Sequence, residues 1–335
     1  MSCGSYSAGI GSVGVAIQAE QGTFVEPTDF MRVMSIDLNP DGEKIVPDPE
    51  IAAGGNDIVE IHQGTYKISG SIDSYVRPEA IGNFFYGALG DYVASGELSG
   101  GAYLHNFTPI PSGCLPWLSI KKVVSDSDQV FNYEDCKVNG FTLDINASEP
   151  CNVSFEVIGI KDEFGSYQEP TYESGPMLIA TSTDVKMNGA SVSVKSAQVN
   201  FNNNLDDADF RVGSRFLGQI TEKRREIDVS MDVVLDTTSE LYRKAFYGSD
   251  SATEAGFDIY AESVDFDLES PTTIDTSGLP FKISVNITNA VFTAAPIPAS
   301  GDDLVVIPLE LKATKNATEN IIEIHIWNSK DTYTT

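Results

Sequence analysis

Three histidines, four cysteines and one knot of aspartates are the residues of this chain that could carry chemistry. His62, His105 and His325 lie far apart and form neither HxH nor HExxH, the spacings that set two imidazoles on one metal. Each reads as an ordinary strand or loop residue. The stretch NNNLDDADF (202–210) gathers Asp206, Asp207 and Asp209, but it lacks the central glycine and closing glutamate of a calcium loop. A solvated acidic turn is the better reading. There is no GxSxG and no phosphate-binding P-loop, and GIGSVG (9–14) follows no strand and lacks dinucleotide spacing. Cys3, Cys114, Cys136 and Cys151 form no CxxC; free thiols fit this spacing, with a Cys136–Cys151 bridge as the competing option. The pattern points to no enzyme, no metal and no cofactor.

Charge is the unusual quantity. Forty-nine acidic residues against 21 basic ones give a formal net of −28. Such a chain repels polyanions, which argues against a conventional grip on nucleic acid or on an anionic membrane. The single dense basic run, TEKRRE (221–226) with Lys223, Arg224 and Arg225, is expected to meet an acidic surface on another subunit or on the same one. The first residues show no basic stretch followed by an apolar one, so no secretory signal is expected.

The elements that must position these residues are mostly strands. Ile68, Gly70, Ile72, Ser74 and Val76 alternate with Ser69, Ser71, Asp73 and Tyr75, the period of a strand with one buried face. Ile227, Val229, Met231, Val233 and Leu235 repeat the pattern, with Asp228, Ser230 and Asp232 facing the other way. Further strands are expected at 141–147, 152–160, 282–288, 304–314 and 321–327. Pro308 calls for a late start, a bulge or an edge position in its strand. Two short helices interrupt the strands. In one, Pro78 suits the first helical position, Ile81, Phe84, Phe85, Ala88 and Leu89 form an apolar stripe, and Gly90 is a stop. In the other, Thr237 and Glu240 have capping-box spacing, Leu241, Ala245 and Phe246 form the stripe, and Gly248 ends it.

The two strand–helix stretches, 68–87 and 227–248, can be laid over each other. Ile68 falls on Ile227, Ser71 on Ser230 and Asp73 on Asp232; after a two-residue insertion, Phe85-Tyr86-Gly87 falls on Phe246-Tyr247-Gly248. Upstream, SIDLNPDG (35–42) sits where QVNFNNNL (198–205) sits. An internal duplication follows. The polar, Gly-, Pro- and Glu-rich segment 161–176 marks the boundary, giving two mainly-β domains, 1–165 and 166–335, each a β-sandwich or barrel with a short flanking helix.

With those residues in view, GSVGVAIQAEQGTFVEPTDFMRVMSIDL (11–38) resembles the opening of major tail tube proteins of long-tailed bacteriophages, in which a Gly-rich start and an apolar strand precede a long loop. KISGSIDSYVRPEAIGNFFYGALG (67–90) resembles the segment that follows. The likeness covers about residues 10–165 and reaches 175–335 through the repeat. It implies β-sandwich subunits joined side by side in a ring, one sheet of each lining a channel, and rings stacked into a tube through which DNA leaves the virion. A long loop reaches the neighbouring ring; the matching segment, 39–60, contains Asp41, Glu43, Lys44, Asp48, Glu50, Asn56 and Asp57. Two halves per chain point to a trimeric, pseudo-six-fold ring. The implied partners are further copies of the chain, other tail proteins at the tube ends, and DNA as non-adhering cargo, with no membrane; the implied location is the virion tail, assembled in the host cytoplasm. Ser69, Ser71, Asp73, Asp228, Ser230 and Asp232 are then candidates for the channel wall, the competing placement being bulk solvent outside the tube. The alternative function is a receptor-binding or adhesin protein of tandem β-sandwiches.

Overall fold

The computed structural model describes residues 11–48, 58, 60–124, 129–173, 175–235, 240–298, 304–316 and 318–333. Alternating burial runs through the strands at 194–202, 226–234, 261–270, 306–313 and 323–328, as the sequence period requires, whereas 118–123 is buried on both faces and 39–45 is exposed throughout. The first half contains β1 (Ser12–Ile17), β2 (Asp29–Met31), β3 (Ser35–Ile36), β4 (Asn39–Ile45), β5 (His62–Tyr75), helix α1 (Gly82–Leu89), β6 (Gly90–Ser99), β7 (Ala102–Pro109), β8 (Leu118–Val123), β9 (Val130–Asn146), β10 (Asn152–Gly159) and β11 (Lys161–Phe164). The second contains β12 (Thr183–Met187), β13 (Ala190–Ser191), β14 (Val194–Asn202), β15 (Glu226–Val234), helix α2 (Glu240–Tyr247), β16 (Ala261–Thr273), β17 (Pro280–Ala294), β18 (Val306–Ala313) and β19 (Glu323–Asn328).

All of the strand pairs are antiparallel, and one pairing scheme occurs twice. In the first half β2–β1–β8–β9–β11 form one sheet, and β3 and β4 lie end to end along β5 in a second, ordered β5–β10–β9. In the second half β13–β12–β16–β17–β19 and β14–β15–β18–β17 repeat both orders. Strands β9 and β17 each serve both sheets. Asp135, with φ 56°, stands where β9 passes from one sheet to the other. Stretches 68–87 and 227–248 thus occupy like positions, a strand of the second sheet running into a helix.

Two joints knit the halves together. Strand β14 pairs with the C-terminal part of β9, so the second sheets run on as β5–β10–β9–β14–β15–β18. The hairpin β6–β7, which has no counterpart after α2, pairs with β19. The largest of three apolar clusters among the described residues unites residues of both halves, from Val13 to Tyr333.

The two helices fare differently. In α1 the side chains of Phe84, Phe85, Ala88 and Leu89 are buried, and Phe85 lies edge-on to Phe141 and Phe155 at 5.1 and 5.4 Å. Gly90 ends this helix in the left-handed region at φ 88°, as expected. Pro78, however, lies four residues before the helix, not at its first position; its carbonyl accepts from Tyr333 and Asn328. In α2 the one buried residue is Leu241, because no hairpin covers the helix. Gly248 follows it at φ 70°, while Thr237 lies outside the described residues.

Pro308 sits on a partly open edge: it pairs with Asp232 of β15, while β17 joins β18 only from Glu310 onward. No bridge links Cys136 to Cys151. Both are free, buried thiols; burial pushes each upward, Cys151 to about 11.

Candidate functional surface

The candidate residues of the sequence come together on one face. Register carries a single row across six strands: Asp73 opposes Ser154, Ser154 opposes Thr142, Thr142 opposes Asn200, Asn200 opposes Asp228, and Asp228 opposes Lys312. Neighbouring rows contain Ser71 and Glu156, then Asn152, Asp144, Gln198, Ser230 and Glu310. With strands about 4.8 Å apart, such a row is ~24 Å wide. Ser69, Ser71, Asp73, Asp228, Ser230 and Asp232 all point to this side, opposite the buried Ile68, Ile72, Val229 and Met231.

Short polar bridges order the face. Ser154 Oγ donates to Asp73 Oδ1 at 2.5 Å, and Gln198 Nε2 donates to Asp144 Oδ1 at 2.6 Å across the joint between halves. A serine meets an aspartate at both equivalent sites: Ser35 Oγ donates to Asp73, and Ser196 Oγ donates to Asp232 at 2.8 Å. These pairs place Ser35 on Ser196, two residues off the superposition drawn from sequence.

The balance of charge on this face is lopsided. Asp73, Asp144, Glu156, Glu226, Asp228, Asp232 and Glu310 share it with Lys312, whose amine lies 3.3 Å from both Glu226 and Asp228, and with Lys67 at the rim. The exposed side of the other sheet is built differently. There Asp267 receives Lys186 at 2.7 Å and Lys282 at 3.0 Å. Burial raises that carboxyl, but its hydrogen bonds and the lysine charges outweigh burial and hold it down at about 2. There Lys186 also lies 3.4 Å from Asp184 and Lys282 2.9 Å from Glu269, so these two lysines each bridge carboxylates, whereas among the described residues of the six-strand face Lys312 alone bridges two. No group of three or more potential metal ligands occurs among the described residues.

A family model described as phage tail tube protein matches residues 10–313. The chain belongs to the phage tail tube protein family. No curated protein matches it. It is therefore a structural component of the virion tail, one of the proteins that assemble into a multimeric tube with other tail proteins. No described helix of this tail tube protein is long and apolar enough to cross a membrane.

The remaining candidates fall elsewhere. Asp41, Glu43 and Lys44, expected in a loop, lie in strand β4, which pairs with residues 62–69 of β5 to form an exposed two-stranded arm. Asp48 follows that strand; Glu50, Asn56 and Asp57 lie outside the described residues. The basic run is divided. Lys223 lies 3.4 Å from Asp206 of its own chain, Arg225 turns inward onto the Ile110 carbonyl, and Arg224 is exposed. The aspartates of 202–210 are likewise taken: Asp207 by Lys67, Asp206 by Lys223, and Asp209 by Arg211 at 2.6 Å. Sequence reasoning missed Thr142, Asp144, Ser154, Glu156, Gln198, Asn200 and Glu310. Their alternation was visible within strands; which strands adjoin was not.

Proposed function

We propose that this tail tube protein carries two copies of one tube domain, closes with two further copies into a trimeric ring of six domains, and turns its acidic face to the channel. The observation that carries this reading is the unbroken polar face spanning both halves. A bore through which a polyanion slides is best lined by groups that attract neither phosphate nor bases. Hydroxyls and amides tied to their own carboxylates, with few cations, make such a wall. The DNA duplex carries one charge per ~1.7 Å, and repulsion across ~8 Å of physiological salt solution keeps it from adhering. The lining resists sticking; it does not drive transport.

Family membership favours this reading over the receptor-binding one. Its test is direct. Purified protein should form rings or tubes in negative stain, and Asp73→Asn with Asp232→Asn should slow genome delivery while tube length stays the same. Unaltered delivery would remove those two carboxylates from the wall, and a protein that never assembles would remove the tube itself.

A further inference from the structure

The joint between the two halves shows how one repeat holds the next, and the same two edges lie unjoined at the outer ends of the chain. Within the chain, Val199 of β14 opposes Leu143 of β9, and Gln198 opposes Asp144. Ser35 and Ser196 face Asp73 and Asp232 in the same way, so Asp37 and Leu38 are the counterparts of Gln198 and Val199. On the other side, Glu156 opposes Gly140 just as Glu310 opposes Ala294. Counting onward, Ile297 and Pro298 are the counterparts of Leu143 and Asp144.

Three features mark these as edges awaiting a partner. Leu143 is 1% exposed at the internal joint, whereas Ile297 is 39% exposed. Among the described residues no strand pairs with 295–298. Pro296 and Pro298 alternate with Ala295 and Ile297, so the residues whose counterparts bond to β14 keep their N–H groups. On the facing edge, Asp37 N donates to Ser71 O at 2.9 Å, which turns the backbone groups of Leu38 outward. That edge is guarded: Lys122 Nζ and Tyr133 Oη donate to the Leu38 carbonyl at 2.9 and 2.8 Å, and Pro40 offers no N–H. Lysine and proline at a strand edge discourage indiscriminate pairing.

Resting on the tube reading above, we infer that residues 295–298 of one copy pair antiparallel with residues 37–40 of the next, in the register of β14 on β9. Leu38 then opposes Ile297, and Asp37 opposes Pro298. The contact is heterologous, so it repeats around an axis and closes where the rotation permits. It is weaker than the internal joint, because the Leu38 carbonyl is already taken and Pro40 lacks a donor.

The test is a disulfide cross-link. Asp37→Cys with Pro298→Cys, in a background lacking Cys3 and Cys114, is allowed to assemble and is then oxidised. Most of the chain should migrate as a covalent trimer on a non-reducing gel, and either single variant should remain monomeric. As a second measure, amide exchange of unaltered protein should slow at least tenfold at Leu38 and Ala295 on assembly. Tubes that form without the cross-link or the protection overturn the edge assignment and leave the tube reading standing. Absence of any ring or tube from the unaltered protein overturns both.

Discussion

Replacing Tyr333 should destabilise the first half of the molecule, although the residue lies near the end of the chain, where truncation is usually tolerated. Its ring is 4% exposed and packs against His105 at 4.8 Å and Phe107 at 5.8 Å between centroids. It leaves no room at Gly82, where an added Cβ would meet the ring at 2.2 Å. The hydroxyl donates to the Pro78 carbonyl at 2.7 Å and accepts from Asn328 Nδ2 at 2.6 Å. Emptying such a site costs about 3–5 kcal/mol for an aromatic-to-alanine change. Removing the hydroxyl alone costs about 1–2 kcal/mol for two hydrogen bonds. An unfolding entropy of ~2.1 cal/mol/K per residue, over this whole chain, is ~0.7 kcal/mol/K. Tyr333→Ala should therefore lower Tm by about 6 °C and Tyr333→Phe by about 2 °C, read by calorimetry on monomeric protein. If Tyr333→Ala melts within about 1 °C of the parent, the docked tail contributes nothing and the argument fails.

Three other outcomes follow from buried contacts. Burial holds the His105 imidazole below its usual range, despite hydrogen bonds from its Nε2 to Asn328 Oδ1 and the Lys330 carbonyl. The unfolded chain then takes up the proton first, so stability should fall as pH drops below ~6.5, by up to ~1.4 kcal/mol per unit, and His105→Gln should flatten that slope in denaturant titrations. Gly70→Ala should detach β3, because an added Cβ would lie 1.8 Å from the Asp37 carbonyl oxygen; limited proteolysis near residue 35 should quicken, and unchanged cleavage would count against it. Lys137 Nζ lies 2.6 Å from Glu222, 3.0 Å from the Ile220 carbonyl and 4.4 Å from the Trp117 ring centre. Burial raises the Glu222 carboxyl, but its bonds to Lys137 and the Leu115 N–H outweigh this and lower it. Lys137→Met should cost about 3 kcal/mol at neutral pH, measured by urea unfolding, and less in acid, where Glu222 protonates.

The strands with a clean period of two were legible from sequence. Ile68–Ile72 and Ile227–Val233 bury the faces that alternation assigns them, and the six polar candidates share the opposite side. The likeness of stretches 68–87 and 227–248 was legible in outline, because side-chain class follows the pleat even where identity is low. Strand adjacency was not. Nothing local in FTLDINA says that β9 will carry β14, since that choice depends on contacts between residues far apart in the chain. The arm at 39–45 was mistaken for a loop because Asn39, Pro40, Asp41 and Gly42 carry turn chemistry. They form a strand because β5 runs on past its sheet and offers them a ladder. Pro78 misled in the same way: the tail that docks on its carbonyl comes from the far end of the chain.

That docking gives the molecule an order of manufacture. His105 and its acceptor on Asn328 are 223 residues apart, a stretch that takes a ribosome about 10 to 45 s to make. Until β19 emerges, β7 exposes an unpaired margin and the pocket beside Gly82 stays vacant. The first half is thus completed last. A truncated product cannot finish it, and an unfinished molecule makes a poor brick for a polymer.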